Sequence, residues 1–107
     1  MTLEDQVDDY VFEICNQLNN ARDILTSEER EQLIALNLRA GRKALKAVAF
    51  DAATEHVQIA RGLLGDDCWK LRRSLTLDVY LANVERLFAE GQYEQGNFNK
   101  VMVNRSH

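Results

Sequence analysis

From Leu3 to about Leu25, apolar side chains fall at Val7, Val11, Ile14, Leu18, Ala21 and Leu25, the spacing of one stripe along a helix. A single stripe predicts an outer helix packed on one side. Thr26-Ser27-Glu28-Glu29 follows, and Thr26 with Glu29 three residues on has the form of a capping box, so a second helix is expected from about residue 28 to Ala47. Its apolar positions divide into two stripes: Leu33, Leu36, Ala40, Ala44 and Ala47 on one side, and Ile34, Leu38, Leu45 and Val48 on another. Apolar surface on two sides implies neighbours on two sides. A third helix is predicted from Phe50 to Leu64, with Ala53, Val57, Ala60 and Leu64 inward and Gly65-Asp66-Asp67 as its terminating turn. The fourth, from Trp69 to Glu90, is again two-sided, with Leu71, Leu75, Val79 and Ala82 set against Leu77, Leu81, Val84 and Phe88. Gly91 is its expected stop.

Composition supports four long helices. The 107 residues contain no proline and five glycines, with 46% hydrophobic and 28% charged residues. These values suit one globular all-α domain over residues 1–107 and exclude a disordered, proline-rich or collagen-like chain. "RKALKAVAFDAA" laid over "VERLFAEGQYEQG" aligns Phe50 with Tyr93 and Val48 with Gly91, an offset of 43 residues. A period near 40 with two helices per unit is the signature of stacked helix pairs. The expected organisation is therefore a first helix over about 3–25, a repeat pair over about 28–64, a second pair begun over about 69–96, and a tail at 97–107.

Gly41 interrupts good helix formers and is followed by Arg42, Lys43 and Lys46. A phosphate-binding loop needs a second glycine in G-x-x-x-x-G-K-[ST] after a strand, and neither is present. A mid-helix glycine costs about 1 kcal/mol relative to alanine, so Gly41 is expected where a second helix crosses closely. Ala40 and Gly41, with Ala53, Val57 and Ala60 on the next helix, resemble the small-residue pattern of tetratricopeptide repeats. The wider run "LNLRAGRKALKAVAFDAATEHVQIARGLL" followed by "CWKLRRSLTLDVYLANVERLFAEGQYEQ" is similar to the helical-repeat region behind the predicted ATPase module of large bacterial multidomain signalling kinases, over roughly residues 6–96. That resemblance implies antiparallel helix pairs stacked as a right-handed repeat and a noncatalytic role in protein–protein contact and signal transduction. The ending "NFNKVMVNRSH" departs from the pattern.

Charge is unevenly distributed about a net of −4: residues 1–31 hold nine acids and two bases, residues 32–73 eight bases and four acids. Glu4, Asp5, Asp8 and Asp9 complement the positive end of the first helix dipole. Arg39, Arg42, Lys43 and Lys46 lie along one helix edge, and Lys70, Arg72 and Arg73 form a second basic cluster. These seven are the candidate partner-binding residues. They read first as compensation for the acidic helix, then as a docking strip for an acidic protein segment, and last as contacts to nucleic-acid phosphates. A small DNA-associated regulator using the basic edge is the alternative reading, disfavoured because helix-turn-helix recognition needs two short helices and a short turn.

Candidate chemistry is sparse. His56 has no second ligand at a zinc-like spacing, leaving a solvent-facing or hydrogen-bonded helix histidine. Cys15 and Cys68 stand 53 residues apart with no partnered base, and Ser74 and Thr76 sit mid-helix, so two reduced, semi-buried thiols and no nucleophile are expected. No catalytic, cofactor or metal site is anticipated, and the chain is not expected to be an enzyme. No leader-like start and no run of about 18 apolar residues is present, which gives a cytoplasmic expectation without membrane contact. Three helix pairs are normally needed for a stable stack. A homodimer that covers the two-sided helices is accordingly expected.

Overall fold

The computed structural model describes residues 3–105, with side chains described for 10–96. Among the described residues the chain forms five α-helices, one 3-10 turn and no strand: α1 Leu3–Asn20, the turn Arg22–Ile24, α2 Ser27–Lys46, α3 Phe50–Leu64, α4 Cys68–Leu71 and α5 Arg73–Arg105. The acids Glu4, Asp5, Asp8 and Asp9, the stripe position Val7, and His107 lie outside the described side chains.

α2 starts where the capping box places it. The Glu29 amide donates to Thr26 Oγ1 at 3.2 Å and the Thr26 amide to Glu29 Oε1 at 3.0 Å, so two of the unpaired amides of a helix start are satisfied reciprocally. The backbone hydrogen bond from Thr26, then that to its side chain, holds the Glu29 carboxyl below its ordinary range. At the other end, Val48 N–H donates to Leu45 O at 3.0 Å and Ala49 N–H to Ala44 O at 2.9 Å. These bonds make a Schellman motif with Val48 in the left-handed region at φ 59°, where glycine is usual. A β-branched residue at this position carries backbone strain.

α2 is the central rod. On one side Ala40 packs with Val11, Cys15, Phe12 and Leu36, binding α1. On the other, Leu33, Ile34 and Leu38 join Val57, Ala60, Leu63 and Leu64 of α3 and Val79 and Ala82 of α5 in the main core. Gly41 is buried against α3: a Cβ added there would lie 3.2 Å from Val57 Cγ2 and 3.6 Å from both Ala53 O and His56 Cβ. Ala53, Val57 and Ala60 are all buried. The two halves of the Ala40-Gly41 pair thus face different neighbours, Ala40 towards α1 and Gly41 towards α3.

Several boundaries differ from the sequence expectation. α1 ends at Asn20 rather than near Leu25, because Ala21 N–H and Ile24 N–H donate three residues back and tighten the chain into a 3-10 turn. Its buried face is Val11, Cys15 and Asn19, with Leu18 exposed and Ile14 half-buried. The real stripe is rotated because Asn19 bonds inward to α2. The expected helix over 69–90 is broken at Arg72, whose φ of −136° and ψ of 48° separate α4 from α5. α5 then runs through Gly91 and Gly96 to Arg105. A lone glycine without a left-handed φ or a following proline weakens a helix by only about 1 kcal/mol, and Tyr93 beyond it is anchored edge-to-face on Phe50 at 5.2 Å. Gly91, aligned with the strained turn residue Val48, is therefore helical, and the second half of the chain does not repeat the α2–α3 hairpin.

Replacing Gly41 with leucine is expected to lower the urea midpoint by an amount equal to about 1–3 kcal/mol, because the added side chain meets Val57 and the α3 backbone; an unchanged midpoint contradicts the close crossing. Val48→Gly is expected to raise stability by about 1 kcal/mol through relief of the left-handed strain, and an unchanged or lower midpoint contradicts that strain.

Candidate functional site

The most densely bonded polar cluster in the interior joins three helices. Asn37 on α2 is fully buried and all four of its side-chain hydrogen-bonding positions are occupied. Its Nδ2 donates to Asn19 Oδ1 at 2.9 Å and to Leu33 O at 3.0 Å, while its Oδ1 accepts from Asn19 Nδ2 at 3.1 Å and lies 3.1 Å from His56 Nδ1. With Oδ1 as acceptor, the contact assigns a proton to Nδ1 of His56. Burial pushes the His56 pKa down, opposed by the negative charge of Glu55, and the Phe12 ring packs 5.7 Å away. Every polar position of the Asn37 side chain is therefore used in bonds within the cluster or to its own helix. It is a structural lock among α1, α2 and α3.

Cys15 and Cys68 are free and buried. Loss of hydration pushes the Cys15 thiol up to about 11, which keeps it protonated and unreactive at neutral pH. Among the described residues, no group of three or more His, Cys, Asp or Glu is placed to hold a metal ion. No helix there is long and apolar enough to cross a membrane.

The seven basic candidates separate into two places. Arg39, Arg42, Lys43 and Lys46 together line a shallow recess on α2. Lys43 Nζ sits 5.5 Å over the Phe12 ring, and Arg42 Nε is 3.6 Å from Glu85 Oε2 on α5. Both partners of that pair are half exposed, so its worth is no more than about 1 kcal/mol. The second cluster lies by the start of α2, on the order of 16 Å from Arg42 along the helix. There Arg72 faces inward. It donates to Ser27 Oγ at 2.7 Å and Leu64 O at 3.2 Å, with its Nε 3.2 Å from Glu31 Oε1. That Nε makes no hydrogen bond, so the Glu31 contact is an ion pair with the N–H turned away. Arg72 pins the α4–α5 break to α2 and α3. Lys70 and Arg73 are exposed beside it, and Arg73 shares a groove with Glu28, Glu31 and Asp78.

Sequence reasoning missed Asn19, Asn37 and Arg86. Arg86 is buried, donating to Thr54 Oγ1 at 3.0 Å and Asn83 Oδ1 at 2.8 Å and pairing with Glu90 at 3.4 Å, so it clamps α5 to α3. The signal for Asn37 was its place four residues after Leu33 and three before Ala40, a polar residue on an apolar stripe. His56 sits likewise between Ala53 and Ala60. Two polar residues on facing apolar stripes are a pairing signal.

Because the folded His56 pKa is lowered below the unfolded value of about 6.5, its contribution to stability is complete above that value and is lost as pH falls through the folded pKa. The urea midpoint is expected to fall between about pH 7.5 and pH 5, and His56→Gln to flatten that slope. A wild-type slope unchanged by the substitution contradicts the neutral, buried imidazole.

No family model matches the chain, and no solved structure matches it. Hybrid signal transduction histidine kinase G of Dictyostelium discoideum is 30% identical over 97 residues, which take in 81% of this chain and 3% of that protein. The chain thus spans a small fraction of the relative it matches, and the similarity is to a region of a signal-transduction protein.

Proposed function

We propose that this chain is a noncatalytic protein–protein interaction module of a signalling protein, in which the α2–α3 hairpin is a tetratricopeptide-like antiparallel helix pair and α5 packs beside it. The observation that carries the reading is the two-sidedness of α5. Its Thr76, Val79, Ala82 and Arg86 are buried, while Leu77, Leu81, Val84 and Phe88 remain exposed on the same helix. A helix placed between two neighbours in a stack has this pattern. The Asn37 side chain, with all four of its positions bonded to Asn19, Leu33 and His56, holds three helices together and so supports a structural role for this cluster. Similarity to a signal transduction histidine kinase supports the signalling context.

Within this reading, the recess formed by Arg39, Arg42, Lys43 and Lys46 receives an acidic segment of a protein partner. Four cationic groups on one helix edge attract carboxylates at long range, and the attraction weakens with salt. Lys70 and Arg73 lie apart from this recess and serve as an internal comparison.

Fluorescence anisotropy with a labelled Glu/Asp-rich peptide tests the docking strip. Combining Arg42→Glu, Lys43→Glu and Lys46→Glu is expected to weaken binding at least about tenfold, with helicity retained, whereas Lys70→Glu with Arg73→Glu leaves it within about twofold. Equal losses in both variants, or no binding by the wild type, contradict the strip. Tighter binding of a DNA duplex, lost steeply between low and physiological salt, favours the DNA-associated alternative instead.

A further inference from the structure

The outer side of α5 carries Leu77, Tyr80, Leu81, Val84, Leu87 and Phe88, all exposed, with Phe88 at 68%. Trp69 and Arg61 lie against Tyr80, and the other five are each about half or more open to solvent. Leu77, Leu81, Val84 and Phe88 are separated by four, three and four residues, the seam spacing of paired helices. From their fractional exposures, the six side chains present roughly 600 Å² per copy, at the top of the range for the largest patch on a monomer. Two such faces brought together remove roughly 1,200 Å² from water, the lower bound for a stable specific interface.

We propose that this face binds a second copy of the chain, α5 against α5, antiparallel about a two-fold axis between Leu81 and Val84. The proposal rests on the reading of the chain as an interaction module and uses a surface that meets the basic recess only at Arg42, which pairs with Glu85 at its margin. In this arrangement Leu81 meets the second copy's Val84, and Leu77 meets the second copy's Phe88. The contact is self-complementary, as a two-fold interface requires.

Charge along the helix accommodates the antiparallel orientation. Arg73, Tyr80, Leu87 and Glu94 recur every seven residues on one flank of the seam. Antiparallel pairing sets Arg73 opposite Glu94 and Tyr80 opposite Leu87, each twice by symmetry. A parallel pair separates Arg73 from Glu94 and brings Arg73 beside Asp78 instead, so exchanging the charges of Arg73 and Glu94 distinguishes the two orientations. On the other flank Asp78 comes opposite Glu85, where Arg42, 3.6 Å from Glu85 in its own copy, supplies the positive charge. Trp69, stacked at 5.5 Å on Tyr80, and Arg61, 5.7 Å over the same ring, hold Tyr80 in place at the margin of the face.

Analytical ultracentrifugation of the full chain is the test. The wild type is expected to be dimeric with a Kd on the order of 10 µM. Leu81→Glu, at an exposed position and therefore retaining helicity, is expected to raise the Kd at least about a hundredfold. Arg73→Glu and Glu94→Arg should each weaken the dimer by about threefold, and the two together should restore it. A monomer at about 1 mM, a Leu81→Glu variant that dimerises like the wild type, or a charge swap that fails to restore pairing overturns the proposal. Acidic-peptide binding by Leu81→Glu separates the two readings: if it persists while dimerisation is lost, both the strip and this interface stand.

Discussion

The approach of α2 to α3 at Gly41 is the constraint on which the rest of the molecule depends. Val57 Cγ2 would lie 3.2 Å from a Cβ at that position, so the helices are as close there as a bare backbone allows. Asn37 precedes Gly41 by one turn and His56 directly precedes Val57, so the same crossing brings Asn37 Oδ1 to 3.1 Å from His56 Nδ1. Apolar contact and polar contact are therefore set by one separation. Had the helices stood apart by a methyl group, His56 Nδ1 would lose its contact with Asn37, at a cost of about 1–3 kcal/mol if left unsatisfied.

From this crossing the arrangement of the other elements follows. Asn19 reaches the free positions of the Asn37 amide and so fixes how α1 lies on α2. Arg86 and Arg72 do the same for α5, one tying it to Thr54 of α3 and the other tying its start to Ser27 and Leu64. Polar clamps of this kind specify register as well as stability, because an apolar face alone tolerates sliding. With the inner faces held, the surfaces left outward are a cationic edge on α2 and an apolar face on α5. The cationic edge also ties α2 to its neighbours, through Arg42 to Glu85 of α5 and Lys43 to Phe12 of α1, while the exposed apolar face of α5 takes no part in the core.

Much of the helical order was legible in the sequence, for physical reasons that differ from element to element. Thr26 and Glu29 announced the start of α2 because a capping box is local chemistry. From Leu75 on, the two stripes separated a buried or half-buried side from an exposed one, since helical period dictates which residues share a face, whereas Leu71, placed with the inward stripe, is exposed ahead of the break at Arg72. Gly41 was readable as a crossing because a mid-helix glycine needs a reason. Gly91 misled, since glycine ends a helix only where the chain adopts a left-handed turn, and Val48 misled in the opposite sense by adopting that turn with a β-branched side chain. The buried face of α1 was misplaced because an apolar stripe does not register Asn19, whose partner 18 residues away gives it a place inside. Arg72 entered the candidate partner-binding set on charge alone, while its contacts are internal and long-range.

The most direct measurement of the central claim is a proton–proton nuclear Overhauser experiment on the isotopically labelled chain. If α3 lies against the bare face of α2, the Gly41 α-protons show strong cross-peaks to the Cγ2 methyl of Val57 and weaker ones to the β-protons of His56. Absence of both, with Gly41 exchanging its amide at the rate of an exposed residue, would contradict the crossing and the polar lock built upon it.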